Sequence, residues 1–156
     1  MNIKNIFCKK NKTNQNMLDT KTIEKFKDIN KSNCPPLFTM KGQKLFCKVI
    51  DVYDGDTCNI VFECDNQLRH HKFRLYGINC KELKPSKTLE NREEYIKLAK
   101  EAKKALEDKI LNQVCYIEFV EEEKFGRLMG TIYSDQLKTI NFNEEMIKEG
   151  HAVCYK

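Results

Sequence analysis

Three short segments rich in apolar and β-branched residues follow one another early in the sequence, and turn residues separate them. Residues 45–52 (LFCKVIDV) and residues 58–63 (CNIVFE) flank the tetrapeptide DGDT, and residues 71–78 (HKFRLYGI) follow the polar turn DNQ at 65–67. Short β-branched segments joined by Asp-Gly and Asn-containing turns are typical of β-hairpins. The sequence therefore predicts a three-stranded meander.

The hydrophobic period changes after this meander. Residues 89–110 repeat apolar side chains at helical spacing. The predicted apolar face consists of Tyr95, Leu98, Ala99, Ala102, Ala105, Leu106 and Ile110. Residues 114–120 and 128–133 predict two more strands, and Asn143 is predicted to cap a short helix that Gly150 ends. This order predicts a β-rich α+β fold, a five-stranded OB-fold barrel with one long helix between strands 3 and 4 and a short C-terminal helix.

The N-terminal part of the sequence differs in composition from the rest. Residues 1–36 are rich in Lys and Asn, and only residues 20–26 indicate a short helix. Pro35 and Pro36 interrupt helix and sheet hydrogen bonding and so mark a boundary. With 156 residues there is room for one ordinary hydrophobic core. We therefore expect a mobile N-terminal extension (1–36) and one folded domain (37–156).

Charge and cysteine content limit the cellular setting and the partners. The formal net charge of +5 favours a polyanionic partner, although charge of this size alone is not specific. None of the eight cysteines shows C-x2-C spacing, and we expect free thiols. The sequence contains no signal-peptide pattern and no apolar stretch of membrane-spanning length. The expected setting is intracellular, cytoplasmic or nuclear, with no membrane and no obligate protein partner.

Charged residues recur at the predicted turns and strand ends. Asp54 and Asp56 lie in the DGDT turn, where Gly55 is expected to supply a positive φ. Arg74 lies between two apolar strand residues, so its side chain should point away from both. Glu82 follows in a loop. Considered singly, each has a simpler explanation as a plain turn or a solvated side chain, but together they can form one site.

The chemistry of this set suits a phosphate and a cation. Oxygen ligands from Asp56 and Asn79 fit Ca²⁺, with Mg²⁺ or another divalent cation as possible substitutes. Arg74 and Arg127 provide planar guanidinium groups that match phosphate oxygens. The carboxylate of Glu82 can orient or deprotonate an attacking water, and such general-base help contributes roughly 10²–10⁴ in rate. The sequence thus favours hydrolysis of a phosphodiester.

The segments VYDGDT, FRLYGIN..E and KFGR, in this order over about residues 45–155, resemble the motifs of the staphylococcal nuclease (thermonuclease) family. The resemblance implies an OB-fold and Ca²⁺-dependent hydrolysis of DNA or RNA with little sequence preference, leaving a 3′-phosphate. It also implies roles for individual residues. These are Arg74, Glu82 and Arg127 in catalysis; Arg74, Lys124, Phe125, Arg127 and Tyr155 in substrate binding; Asp56, Asn79 and the backbone carbonyl of Cys80 at the metal; and Asp54 and Thr57 in support.

The sequence departs from the family pattern at three places. Asn79 stands where the family usually has a metal-binding aspartate, so one negative charge is missing and the affinity for a divalent cation should fall. Phe125 replaces a usual tyrosine. The sequence stops at Lys156, before the last helix and most of the nucleotide-stacking tyrosines of the bacterial enzymes. Tyr155 is expected to substitute for them in part.

Two other interpretations remain. The domain could be a catalytically silent module that binds nucleic acid or protein, as in degenerate copies of this domain in larger eukaryotic proteins. Retention of Glu82, Arg74 and Arg127 together favours hydrolysis over this alternative. A third interpretation makes the basic helix face from Lys97 to Lys109 a binding surface, but interspersed acidic residues favour a solvated helix face.

Overall fold

A computed structural model describes residues 20–123 and 126–155. The chain divides after Leu37 into two units. In the first unit, helix α1 (Thr20–Phe26) confirms the helix predicted at residues 20–26. The predicted mobility of the N-terminal extension concerns in large part residues 1–19, which lie outside the described residues.

The second unit contains the predicted barrel. In chain order its elements are β1 (Lys44–Asp54), β2 (Thr57–Cys64), β3 (Gln67–Leu75), β4 (Ile78–Cys80), α2 (Arg92–Ile110), β5 (Val114–Glu122), β6 (Leu128–Tyr133), α3 (Phe142–Lys148) and β7 (Ala152–Cys154). Five strands close in the order β1-β2-β3-β6-β5, and β3 pairs with β6 in parallel while the other pairs are antiparallel. The five-stranded OB-fold prediction is confirmed.

The barrel interior is filled by every second residue of its strands. Val49, Ile60, Phe73, Ile117 and Ile132 have no exposed side-chain surface, as alternation along a strand with one buried face requires. The long helix α2 begins at residue 92 rather than 89. It packs on this core through four of the predicted face residues, Ala99, Ala102, Leu106 and Ile110. The prediction for Leu98 is wrong, because this side chain is 40% exposed.

The third predicted strand ends earlier than expected. β3 stops at Leu75 because Gly77 adopts φ +77°, which turns the chain out of the barrel. The continuation, β4, forms a separate two-stranded sheet with β7, in which Asn79 pairs with Val153 and Cys80 with Ala152. Residues predicted to lie on one strand therefore belong to two different sheets.

The capping residue of α3 also differs from the prediction. Asn141, not Asn143, caps the helix, since its side chain accepts hydrogen bonds from the backbone N–H groups of Asn143 and Glu144. Asn143 is 4% exposed and lies in the first turn of the helix. Its side chain donates to the carbonyls of Tyr76 and Gly130 and accepts from the N–H of Ile132. Asn143 thus connects α3 to the barrel.

The helices of the described part include none that is long and apolar enough to cross a membrane. The seven cysteines in residues 20–123 and 126–155 are free, as expected, and four of them are buried in the domain. The buried thiols are those of Cys47, Cys58, Cys80 and Cys115.

Candidate active site

The DGDT segment forms the tight connection between β1 and β2, and Asp54 pairs with Thr57 across it. The expectation that Gly55 supplies a positive φ is wrong, because Gly55 is not among the glycines with that conformation. A Cβ atom at Gly55 would lie 2.8 Å from the Cβ of Ala102 and 2.8 Å from the Sγ of Cys80. Glycine is needed at this position because the turn packs directly against α2 and β4.

Asp56 is the buried acid of the site, with 3% of its surface exposed. Its Oδ1 accepts a hydrogen bond from the Thr57 hydroxyl at 2.8 Å and from Arg74 Nη1 at 3.1 Å. Its Oδ2 accepts from the backbone N–H of Cys80 at 3.0 Å. A buried carboxylate needs such partners to offset its lost hydration. Asp56 is therefore held firmly, and the Thr57 hydroxyl is one of its three partners.

Arg74 points away from its buried neighbours Phe73 and Leu75, as strand alternation predicts. In addition to its contact with Asp56, its Nη2 donates to Asn79 Oδ1 at 2.9 Å and to the carbonyl of Ile78 at 3.4 Å. One guanidinium group thus links the barrel to β4. The hydrogen bond from Arg74 to Asn79 also engages the amide oxygen through which Asn79 was predicted to bind a metal.

A cleft of about 290 Å³ lies beside this hydrogen-bond network. Seven predicted site residues line it: Asp54, Asp56, Arg74, Asn79, Cys80, Glu82 and Arg127. Tyr53, Leu83 and Lys84 also line it but were not predicted. Their sequence positions could have indicated them, since Tyr53 directly precedes DGDT, and Leu83 and Lys84 directly follow Glu82.

The second arginine, Arg127, lies just before β6. Its Nε and Nη2 donate to the two carboxylate oxygens of Glu123 at 2.8 and 2.9 Å, a bidentate pair that holds the guanidinium plane. Sequence reasoning missed Glu123, although it lies only four residues before Arg127. The predicted substrate residues Lys124 and Phe125 lie outside the described residues.

Of the last two predicted residues, Glu82 lines the cleft and Tyr155 does not. The side chain of Glu82 has no ion-pair or hydrogen-bond partner within residues 20–123 and 126–155, and its backbone N–H donates to the Tyr95 hydroxyl at 3.4 Å. Its carboxylate is exposed in the cleft and available to bind water. Tyr155 is 60% exposed, and its N–H donates to the carbonyl of Gly77, but it does not line the cleft.

Two groups in the cleft, the Asp54 carboxyl and the Cys80 thiol, have raised pKa values. Burial, followed by the negative charge of Asp56, raises the pKa of the Asp54 carboxyl above its usual value. Burial and the same two aspartates raise the pKa of the Cys80 thiol to about 12. Cys80 therefore stays a neutral thiol at physiological pH, and it is suited to contribute only its backbone.

The oxygen donors of the predicted metal site are of the types that bind a hard cation, but only two of them carry a negative charge. Two carboxylates, an amide oxygen and a backbone carbonyl are the donor types that Ca²⁺ accepts. Burial is the first cause of the raised pKa of Asp54 and the negative charge of Asp56 is the second, and a bound cation would offset the second. However, no group of three or more His, Cys, Asp or Glu side chains suited to a metal occurs within residues 20–123 and 126–155.

A closed five-stranded barrel with acidic and arginine side chains in a cleft beside it defines an OB-fold protein with a candidate active site. The family model described as staphylococcal nuclease homologue matches residues 72–156, more than half of the chain. The chain belongs to this family. The match covers Arg74, Asn79, Glu82 and Arg127, whereas Asp54 and Asp56 lie before it and join the site through the fold. A comparison with curated proteins finds no match.

Proposed function

We propose that this protein is a divalent-cation-dependent phosphodiesterase, with Ca²⁺ as the expected cation, that hydrolyses DNA or RNA with little sequence preference. The observation that carries the proposal is the convergence of a free carboxylate, Glu82, and two fixed guanidinium groups, Arg74 and Arg127, in one cleft with two aspartates. Phosphates carry no base identity, so a site built to hold them discriminates little between sequences.

In the proposed reaction Glu82 orients a water molecule and takes its proton as the oxygen approaches phosphorus. Arg74 and Arg127 donate to the phosphoryl oxygens and stabilise the negative charge that grows on them. Hydrogen bonds from Arg74 to Asp56 and Asn79 fix the guanidinium group before substrate arrives, which lowers the cost of orienting it. By the family resemblance, the bond that breaks joins phosphorus to the 5′ oxygen. One product then carries a 3′-phosphate, and the other leaves with a 5′-hydroxyl after its oxygen takes a proton from solvent water.

Asp56, Asn79 and the carbonyl of Cys80 would hold the cation, with Asp54 as a supporting acid. When bound, a divalent cation polarises a phosphoryl oxygen and adds positive charge where the transition state is negative. Asn79 brings no charge, and its side-chain oxygen already accepts a hydrogen bond from the positively charged Arg74, which weakens it as a cation ligand. We therefore expect a high Ca²⁺ requirement.

The test is cleavage of single-stranded DNA and RNA by the purified protein, with Ca²⁺ and Mg²⁺ titrated against EDTA. We expect metal-dependent cleavage that falls at least about 10²-fold in Glu82→Gln. The exposed Glu90→Gln is the matched control and should cleave like the wild type. Asn79→Asp should lower the Ca²⁺ concentration needed for half-maximal cleavage, because it restores a charged ligand.

Absence of cleavage at millimolar cation in both the wild type and Asn79→Asp would contradict the proposal. A Glu82→Gln protein as active as the Glu90→Gln control would remove Glu82 from its proposed role. Thermal unfolding of each variant checks that a lost activity is not a lost fold.

A second candidate function is a nucleic-acid-binding module without catalysis. The observation in its favour is that the side-chain oxygens of Asp56 and Asn79 already accept hydrogen bonds. Those of Asp56 accept from Thr57, Arg74 and the N–H of Cys80, and that of Asn79 accepts from Arg74. Such a module would bind DNA or RNA with an affinity that falls as salt rises, and would leave it intact. The same titration, followed by binding as well as cleavage, separates the two functions.

A further inference from the structure

A second groove continues from the cleft along the outer face of β2 and β3. It has a volume of about 190 Å³, and Asn59 and Lys72 are among its lining residues. Tyr53, Asp54 and Arg127 line both the cleft and this groove, so the two open into each other. We refer to the second one as the Lys72 groove. A chain bound in the cleft can therefore extend into it without crossing the barrel.

Strand register sets the spacing of the cations along this path. Arg74 pairs with Thr57 and Lys72 pairs with Asn59 on the neighbouring strand. Lys72 and Arg74 are two residues apart on β3, so both point outwards, and their Cα atoms are separated by about 6.8 Å along the strand. Two cations in such a row can each contact a different phosphate of one nucleic-acid strand.

The charge of Lys72 is available to a ligand. Its side chain is exposed, and its ammonium group has no ion-pair or hydrogen-bond partner in the described part of the chain. The nearby acid on β1, Asp51, accepts a hydrogen bond from the side chain of Asn59 at 2.9 Å. In contrast, Arg74 and Arg127 are both paired with carboxylates. Lys72 thus adds an uncompensated positive charge beside the cleft.

Tyr53 provides an aromatic surface at the junction of cleft and groove. It is 55% exposed, and its ring contacts no other aromatic ring within residues 20–123 and 126–155. An exposed ring next to phosphate-binding cations is the arrangement by which proteins bind single-stranded nucleic acid, because an unpaired base can stack on it. A duplex keeps its bases stacked within the helix and cannot use this surface.

We propose that the Lys72 groove is a second nucleotide subsite, in which an unpaired base stacks on Tyr53 while the adjacent phosphate contacts Lys72. The subsite selects single-stranded over double-stranded nucleic acid. This inference rests on the proposed function for the cleft, since it assigns the nucleotide next to the one bound there.

The experiment measures binding of fluorescein-labelled oligothymidylate by anisotropy, in EDTA so that the oligonucleotide stays intact. Tyr53→Leu should weaken binding about tenfold, whereas Tyr53→Phe, which keeps the ring, should bind like the wild type. Lys72→Ala should lower the slope of log affinity against log salt by about 0.7, the value for one phosphate contact on a single strand. A duplex of equal length should lose much less affinity on Tyr53→Leu.

The matched control is Lys41→Ala, since Lys41 is also an exposed lysine and lies before the opposite end of β1. If Tyr53→Leu and Lys72→Ala bind oligothymidylate like Lys41→Ala, the subsite is refuted while the proposed hydrolysis stands. If the wild type cleaves nothing but the variants weaken binding as expected, hydrolysis fails and the subsite stands. A wild-type protein that binds no oligonucleotide at low salt refutes both.

Discussion

Replacing Gly55 with alanine tests the packing of the DGDT turn against α2 and β4. The added Cβ would lie 2.8 Å from the Cβ of Ala102, 2.8 Å from the Sγ of Cys80 and 3.0 Å from its Cβ. These atoms sit next to the backbones of a helix and a strand, so they cannot swing away as the end of a long side chain could. The turn, the helix or β4 must therefore move.

The expected cost follows from these contacts. Overpacking a filled site costs about 1–3 kcal/mol. Alanine recovers roughly 0.4–1 kcal/mol by restricting the unfolded chain, because the φ of Gly55 is not positive and adds no strain. We expect a net loss of about 1–2 kcal/mol in the free energy of unfolding, equivalent to roughly 4–8 °C in Tm.

Urea denaturation of Gly55→Ala, Ala102→Gly and the double variant measures the contact directly. Ala102→Gly alone should cost about 1 kcal/mol as a glycine in a helix. Because it removes one of the clashing atoms, the double variant should be more stable than the sum of the two changes predicts, by about 1 kcal/mol. Gly42→Ala is the control for coupling, since a Cβ at Gly42 meets nothing within 4 Å and should show no coupling to residue 102. The φ of +81° at Gly42 makes this single change destabilising by backbone strain alone. A neutral Gly55→Ala, or strict additivity in the cycle, would refute this account of the turn.

Three further predictions concern buried groups away from the cleft. Asn143→Ala removes the side-chain partner of the Ile132 N–H and of the Tyr76 and Gly130 carbonyls, of which that of Gly130 still accepts from the Tyr76 N–H. It should cost roughly 2–4 kcal/mol in urea unfolding, against about 1 kcal/mol for the cap variant Asn141→Ala; equal costs would contradict the role of Asn143 as a connector. Burial raises the pKa of Cys115 to about 11 and that of Cys47 to about 12 from 9.0, so at pH 8 iodoacetamide should label exposed Cys34 and spare both in peptide mapping. Because these pKa values are higher in the folded state, the protonated thiols favour folding. This contribution to stability is present below pH 9 and should be lost as the pH rises towards 11–12. Urea unfolding at increasing pH measures the loss.

Most of the barrel could be predicted from local pattern, because strand alternation and helical periodicity are properties of neighbouring residues. The outward direction of Arg74 followed from its position between Phe73 and Leu75. The end of β3 did not, because apolar residues recur as far as Ile78 without a polar turn while Gly77 turns the chain. The pairing of β4 with β7 joins residues far apart in sequence, and no local signal indicates it.

In the candidate site, too, residues identified by their spacing in the sequence could be predicted, whereas contacts with residues distant in sequence could not. The charged residues of the motifs could be identified from their spacing, and the structure brings five of them to one cleft together with Asn79 and Cys80. Their partners could not be identified in this way. The reason for Gly55 lies in Ala102 and Cys80, and Asn79 accepts a hydrogen bond from Arg74, so both depend on packing that the sequence pattern does not report.

The basic face of α2 illustrates how side-chain pairing resolves an alternative left by the sequence. Lys97, Lys103 and Lys104 lie within ion-pair distance of the acidic residues four positions later on the helix. Pairs of this kind contribute only about 0.3–0.5 kcal/mol each, but they reduce the local positive charge. This pairing favours the interpretation of a solvated helix face over that of a binding surface.

The two sides of the cleft differ in their expected resistance to local unfolding, because one side is formed by the barrel and the other by the two-stranded sheet of β4 and β7. Asp54, Asp56 and Arg74 belong to or adjoin barrel strands that are paired on both sides, whereas Asn79 and Cys80 belong to a three-residue strand with a single partner. A ribbon this short can open locally while the barrel stays closed, so its amide protons should exchange with solvent well before those of β2. The amide of Cys80 is held by the carboxylate of Asp56, and its exchange rate therefore reports how often the two halves of the cleft separate.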